Sequence, residues 1–214
     1  MGYALYNIKA ALTSRQHGSK LPAPTLLLHF LDCVMLNSKP APEPLKGALA
    51  GALAGMAAAY LKALAEPPLQ KLTESVWPPT AEQKELVGAD PVGHQANMPP
   101  AVMLEAAAEE LADTELSEKQ KLAYQQVVHY TLGAFLGAFY GALAEYQPNV
   151  TGGLGVPAGA VMYLCTHATA VPATGFQRWP WQLPPAAVAW ESGSHLIFGA
   201  GLELVRKPLR RLLS

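Results

Sequence analysis

Six ionisable residues stand within or at the edge of otherwise apolar stretches: Lys62, Glu66, His129, His167, Glu191 and His195. Lys62 and Glu66 are four residues apart, as are Glu191 and His195, so on a helix each pair shares a face. Imidazole beside carboxylate can exchange protons near neutral pH, hold a cation, or hydrogen-bond a small polar ligand. At about 1.5 Å of rise per residue, all six fall in the outer half of the helices that carry them. Charged groups inside a membrane helix are costly and are functional candidates by default. The functional reading is an outward-open polar pocket for a cation, a proton or a small polar ligand. The structural reading is that Lys62 and Glu66 pair or snorkel, His129 faces the headgroups, and His167, Glu191 and His195 form an interhelical hydrogen-bonded set. His167, His195 and Glu191 match a metal site by ligand type, but only Glu191/His195 has a supporting spacing, and no metal is expected. The chain has no CxxC, HExxH, GxSxG or GxxxxGK[ST] pattern, and no nucleophile, base and orienting group recur at usable spacing. Neither enzymatic activity nor a cofactor is expected.

These groups must be positioned by helices, and small residues mark where the helices lie. Charged residues make up 14% of the 214-residue chain, against roughly 25% in an ordinary soluble domain. Glycine and alanine gather in helix-like runs, the composition of a membrane bundle whose helices approach closely. The competing class is a soluble all-helical protein with a buried central helix, since short apolar runs fit both. A net charge of −1 with no basic stripe beyond the C-terminal tail argues against nucleic acid as a partner. Cys33 and Cys165 lie in unlike contexts, which argues against a disulfide framework. Cys165, inside an apolar run, is expected to pack as a small hydrophobe. The start, MGYALYNIKAALTSRQHGSK, has no basic segment followed by an apolar one, so no cleaved signal peptide is expected.

The fold class expected is all-α: a polytopic membrane protein with four transmembrane helices in two hairpins and an acidic helical extramembrane loop between helices one and two. Residues 1–44 would be a cytoplasmic or interfacial extension and residues 45–214 the membrane domain, with the loop at 67–125. Tyr3 to Leu12 fits a short amphipathic helix. The apolar stretch Leu26 to Leu36 is too short to span and is interrupted by His29 and Asp32. Pro40, Pro42 and Pro44 read as a stiff linker. The first long helix, about 45–66, carries Gly47, Gly51 and Gly55 and should end at Pro67-Pro68. The loop holds ten acidic and four basic residues. In it, Thr80 with Gln83 and Ser117 with Gln120 read as capping boxes, and Ala101 to Ala112 as an amphipathic helix. The second long helix, about 126–146, carries Gly133, Gly137 and Gly141. The third, about 154–171, carries Gly155 and Gly159. The fourth, about 186–213, is the least apolar because Glu191 breaks it. Glycines four apart stack on one face, a ridge suited to close packing within the chain or between copies. The segment from Gly51 aligns loosely with that from Gly155, pairing Gly51 with Gly155 and Gly55 with Gly159, a hint of a repeated hairpin. Trp179, Trp181 and Trp190 suit a membrane-interface belt.

Lysine and arginine set the orientation. Residues 1–46 hold five, the C-terminal tail holds four, and the Trp-rich loop holds Arg178 alone. With four crossings both termini share a side, and the positive-inside rule makes it the cytoplasm.

The order and spacing of these features resemble the YagU-like family of bacterial inner membrane proteins, a family without an assigned activity. Lys62-xxx-Glu66 followed by Pro78-Pro79 and Asn97-Met98-Pro99-Pro100 is similar to its first half, and His129 with Ala144-Glu145 to its second helix. Gly155 to Pro172 with His167 is similar to its third helix. Glu191, Ser194, Gly199, Glu203 and Arg206 are similar to its last helix and basic tail, with His195 at or next to a family histidine. The resemblance covers roughly residues 46–212. The departures are the long N-terminal extension and Thr80 where the family tends to have Arg. The resemblance implies a four-helix fold in the bacterial inner membrane and a loose association with acid tolerance. The function expected on this basis is that of a non-enzymatic accessory or envelope (acid) stress factor. The runner-up is a small transporter or proton- or cation-linked channel using the His/Glu pocket. Expected partners are the lipid bilayer and either further copies of the chain or a larger membrane complex.

Overall fold

The computed structural model of the chain describes residues 41–88, 90–93 and 98–214. The expectations for Tyr3 to Leu12, Leu26 to Leu36 and Cys33 fall outside them. Every regular element among the described residues is helical. Three segments are long and apolar enough to cross a membrane: Pro44–Val76, Glu118–Tyr146 and Pro148–Ala173.

Helix α1 (Pro44–Val76) does not stop at Pro67-Pro68 as the sequence suggested; it runs through both prolines to Val76. Proline inside a helix costs about 3 kcal/mol or more, and tertiary contacts beyond the pair offset that. Leu69 packs on the buried Met98 and Trp190. Gln70 donates to Glu74 Oε1 and to Asp90 Oδ1, each at 2.9 Å, and accepts from the Val92 amide at 3.1 Å. Trp190 therefore serves as core, only 2% exposed, rather than as part of a surface belt. Trp181 is exposed and stacks on Trp179 with ring centroids 5.0 Å apart.

Both capping boxes form. Thr80 opens α2 (Ala81–Val87) and Ser117 opens α4 (Glu118–Tyr146), each exchanging hydrogen bonds with the glutamine three residues on. Helix α3 (Pro99–Ala112) begins two residues before the expected start, with its prolines in the first turn, where a missing N–H costs nothing. A 3-10 segment (Pro148–Gly155) connects α4 to α5 (Val156–Cys165). A π turn (Thr166–Ala170) and one further turn (Val171–Ala173) end that crossing. Helix α6 (Pro185–Leu212) closes the chain. Cys165 is a free thiol and exposed, not packed inside.

Helix α1 packs on α4 and α6, α5 packs on α6, and α3 packs on α4. Helices α4 and α5 are joined by the 3-10 segment but are not a principal packing pair. Among the described residues the order across the bundle is thus α4, α1, α6, α5, with α4 and α5 at its two ends. The glycines lie in the two antiparallel contacts. Gly47, Gly51 and Gly55 of α1 face Gly141, Gly137 and Gly133 of α4, so close that a Cβ on Gly51 would sit 2.8 Å from the Gly137 carbonyl carbon. Gly155 and Gly159 meet α6 at Gly199 and at the His195 backbone. The registers correspond: Gly51 faces Gly137 and Gly141, while Gly155 faces Gly199 and Glu203. His195 and Glu203 thus stand where the first hairpin has Gly133 and Gly141.

Ala54, Ala58, Ala59, Tyr140, Phe198 and Leu202 form the core. Leu53, Phe135, Phe139, Val161 and Leu164 project outward. Helix α6 buries Glu191, Ser194, His195, Glu203 and Arg206 and exposes Leu196, Ile197 and Leu204. Its low hydropathy comes from polar groups turned into the bundle.

Candidate functional site

A cavity of about 500 Å³ lies in the opening between α4 and α5. Helices α1 and α6 back it, and the first turns of α3 line one end through Pro99, Pro100 and Met103. Its walls are chiefly apolar, including Leu132, Leu136, Met162 and Phe198. Leu132 of α4 and Ala170 of the π turn both line the cavity and are exposed residues. Five of the six residues singled out by type and spacing line it: Lys62, Glu66, His129, His167 and His195. The sixth, Glu191, is buried behind the wall with 2% exposure.

Local chain geometry aims these groups. Lys62 and Glu66, one turn apart on α1, form an ion pair in which the ammonium donates to Glu66 Oε1. The π turn places His167 on the cavity wall, and its threonines take backbone carbonyls: Thr166 Oγ1 donates to Met162 at 2.7 Å and Thr169 Oγ1 to Leu164 at 2.8 Å. Such single π turns inside helices recur at functional sites. His167 and His195 meet edge to face, ring centroids 4.9 Å apart, and the Tyr163 ring packs 5.5 Å from His195.

The histidines and Glu191 do come together, but not by the direct side-chain bonds that their shared face suggested. His167 Nδ1 lies 3.8 Å from Glu191 Oε1, and Gln177 bridges the two. The Gln177 amide nitrogen donates to both carboxylate oxygens, at 2.7 and 2.9 Å, and its oxygen lies 3.0 Å from His167 Nδ1. His195 Nδ1 reaches the backbone carbonyl of Glu191 at 2.8 Å. Sequence reasoning missed Gln177, a neutral amide in the Pro- and Trp-rich loop, where no periodicity marks an inward position. It is nonetheless buried, 6% exposed.

These partners fix the tautomers. A carbonyl oxygen only accepts, so His195 Nδ1 carries its proton. The Gln177 nitrogen faces the carboxylate, so its oxygen faces His167 and accepts from Nδ1–H. Each ring is left with a bare Nε2, an acceptor, and neither Nε2 has a hydrogen-bond partner among the described residues. His129 lines the cavity without a hydrogen bond among the described residues. No group of three His, Cys, Asp or Glu among the described residues is arranged to hold a metal ion. Both Glu191 side-chain oxygens are occupied by Gln177.

A second polar set lies toward the other end of the bundle. Glu203 accepts from Arg206 at 2.8 and 2.9 Å and from the Tyr140 hydroxyl at 3.0 Å. Glu145 pairs with Arg210 at 2.7 Å, and Arg210 also reaches Glu43 at 2.9 Å. Between this set and the cavity lies the apolar core.

The sequence model of a family described as a protein of unknown function, DUF1440, matches residues 71–204, from the last turns of α1 through most of α6. No curated protein and no solved structure matches the chain.

Proposed function

We propose, for a chain that belongs to the DUF1440 family of proteins of unknown function, that it is a four-span integral membrane protein that binds a small ligand between α4 and α5. On this reading it is a non-enzymatic accessory factor. The observation that carries the reading is the cavity. Its volume of about 500 Å³ lies within the range of small-molecule sites, roughly 300–1,000 Å³, and its apolar walls with a few polar groups are typical of them. Ala58, Ala59, Tyr140, Phe198 and Leu202 fill the bundle beyond it, which supports binding over passage. The transporter or channel reading would need a path through that core.

The fourth crossing is α6, whose 28 residues reach about 42 Å at 1.5 Å each, more than the roughly 30 Å of hydrocarbon. Its buried polar face and its exposed Leu196, Ile197 and Leu204 suit a crossing that low hydropathy alone would reject. A YagU-like identity, a bacterial inner membrane and cytoplasmic termini belong to this same proposal. The link to acid stress comes with the resemblance alone.

Methionine methyls report on the cavity directly. Met103 and Met162 line it, whereas Met56 faces outward. In protein labelled with ¹³C at the methionine methyls and held in phosphatidylcholine nanodiscs, a ten-carbon amphiphile should shift Met103 and Met162 saturably and leave Met56 in place. Ala63→Trp, which fills the cavity from α1, should abolish the shifts while the protein still melts cooperatively. Shifts that fail to saturate, or that Ala63→Trp leaves unchanged, would remove the binding reading.

A further inference from the structure

The polar end of the cavity is rich in hydrogen-bond acceptors. His195 is 7% exposed and His167 has 16% of its side chain exposed. Both rings are pinned through Nδ1, one to Gln177 and the other to the Glu191 carbonyl, and both offer a bare Nε2. Glu66 adds carboxylate oxygens, and Lys62 beside it gives one of its three N–H groups to Glu66, so the pair as a whole brings no net charge. His129 does not tip the balance, because with no fixed partner it can present either a donor or an acceptor. Each Nε2 has accessible surface and is open to accept from a donor that enters the cavity and displaces solvent. The rest of the wall is apolar and includes the exposed Leu132 and Ala170, on the two elements between which the four-span reading puts lipid tails.

Resting on that reading, we infer that the cavity takes an amphiphile from the lipid phase whose head donates hydrogen bonds, a primary amine or a hydroxyl, to His167 Nε2 and His195 Nε2. Its tail runs past Leu132, Leu136 and Met162. A carboxylate head is disfavoured. Two bare imidazole nitrogens would face its oxygens acceptor to acceptor, and the neutral Lys62–Glu66 pair offers no net positive charge to offset that. An ether head, which cannot donate, gains nothing at either ring.

The test uses full-length protein in phosphatidylcholine nanodiscs at about pH 8, above the ordinary imidazole range. The ligands are decylamine, decanol, decanoate and decyl methyl ether, titrated against the Met103 and Met162 methyl signals. Decylamine and decanol should bind about tenfold more tightly than the other two, the size of one good hydrogen bond. Histidine ¹⁵N spectra should show the Nδ1–H tautomer at both rings without ligand, and Nε2 should shift on adding decylamine or decanol but not the ether. His195→Phe should lower decylamine and decanol toward the ether while leaving ether binding as it was. If that variant does not fold, the head series and the ¹⁵N tautomers of the wild-type protein decide. Decanoate binding as tightly as decylamine, all four ligands binding alike, or an Nε2–H tautomer at either ring would overturn the inference while ligand binding itself stands. Saturable binding by none of the four would overturn the inference together with the binding reading.

Discussion

At the scale of single residues, Gln177 is the keystone of the site. Among the described residues it alone donates to the Glu191 side chain, and it fixes the proton on His167. Removing one partner of a buried polar group costs about 1–3 kcal/mol, and more when the group left behind is charged. Gln177→Leu should therefore lower the melting temperature well beyond Gln182→Leu, whose side chain serves only the exposed Trp179 amide. It should also mix the His167 tautomers in ¹⁵N spectra; an unchanged melt and an unchanged tautomer would remove Gln177 from the centre of the network. The histidines and Glu191 were legible because ionisable groups stand out in apolar runs. Gln177 was not, because an amide in a loop has no such contrast, and the carbonyl that holds His195 belongs to the backbone. At the other end, just before α1, hydrogen bonds from Lys46 first and from Arg210 next hold the Glu43 carboxyl below the ordinary carboxylate range. A depressed folded-state pKa means stability that is present above the unfolded value, about 4.3, and lost as pH falls through the folded one. Glu43→Gln should thus lower the melting temperature near neutral pH, and the gap from wild type should close in acid below that value. A gap that persisted there would mean that the effect is not electrostatic.

At the scale of elements, the two hairpins use one contact geometry with different contents. In the first, glycine faces glycine at three levels, and the backbones approach until no Cβ fits: one on Gly137 would sit 2.9 Å from the Gly55 Cα. In the second, only the Gly199 level keeps that form, and its neighbours one turn away on α6 are His195 and Glu203. The close approach at glycine brings both groups against α5, one at the cavity and one in the ion set at the other end of the bundle. Gly51→Ala should destabilise the bundle by about 1–3 kcal/mol or more, since the added methyl meets a backbone carbonyl that cannot rotate away. Gly152→Ala is the control: its φ is −57° and nothing lies within 4 Å of the added carbon. Equal melting temperatures for the two variants in detergent would remove the close-contact argument. Much of this level was legible. Both capping boxes start their helices, and the glycine rows fall where the spacing put them. The passage of α1 through Pro67-Pro68 was not, because what holds Leu69 and Gln70 in a helix comes from Met98, Asp90 and Trp190, far away in sequence. The π turn at His167 was hidden as well, since five residues among apolar neighbours give no period of their own.

At the scale of the molecule, what matters most is whether α6 crosses. Composition alone admits three crossings. The packing argues for four. Helix α6 runs antiparallel to α1 over nearly its full length: Gly193 lies against Leu69, Gly201 against Ala58 and Leu61, and Arg210 against Glu43 at the start of α1. On the four-span proposal, α6 spans the depth that α1 spans. The alternative would leave Leu196, Ile197 and Leu204 of α6 facing water while Glu191, His195, Glu203 and Arg206 are buried beside Phe198 and Leu202. The two counts differ in a measurable way. Three crossings put the loop at Gly88 and the terminus at Ser214 on one side; four put them on opposite sides. The basic residues Arg206, Lys207, Arg210 and Arg211 lie within the last turns of α6 and, by the positive-inside rule, draw that end to the cytoplasm. Reporter fusions in bacterial cells should therefore place Ser214 in the cytoplasm and Gly88 outside it. Ser214 and Gly88 on the same side would take α6 out of the membrane, and the proposed entry of an amphiphile from the lipid phase between α4 and α5 would lose its basis.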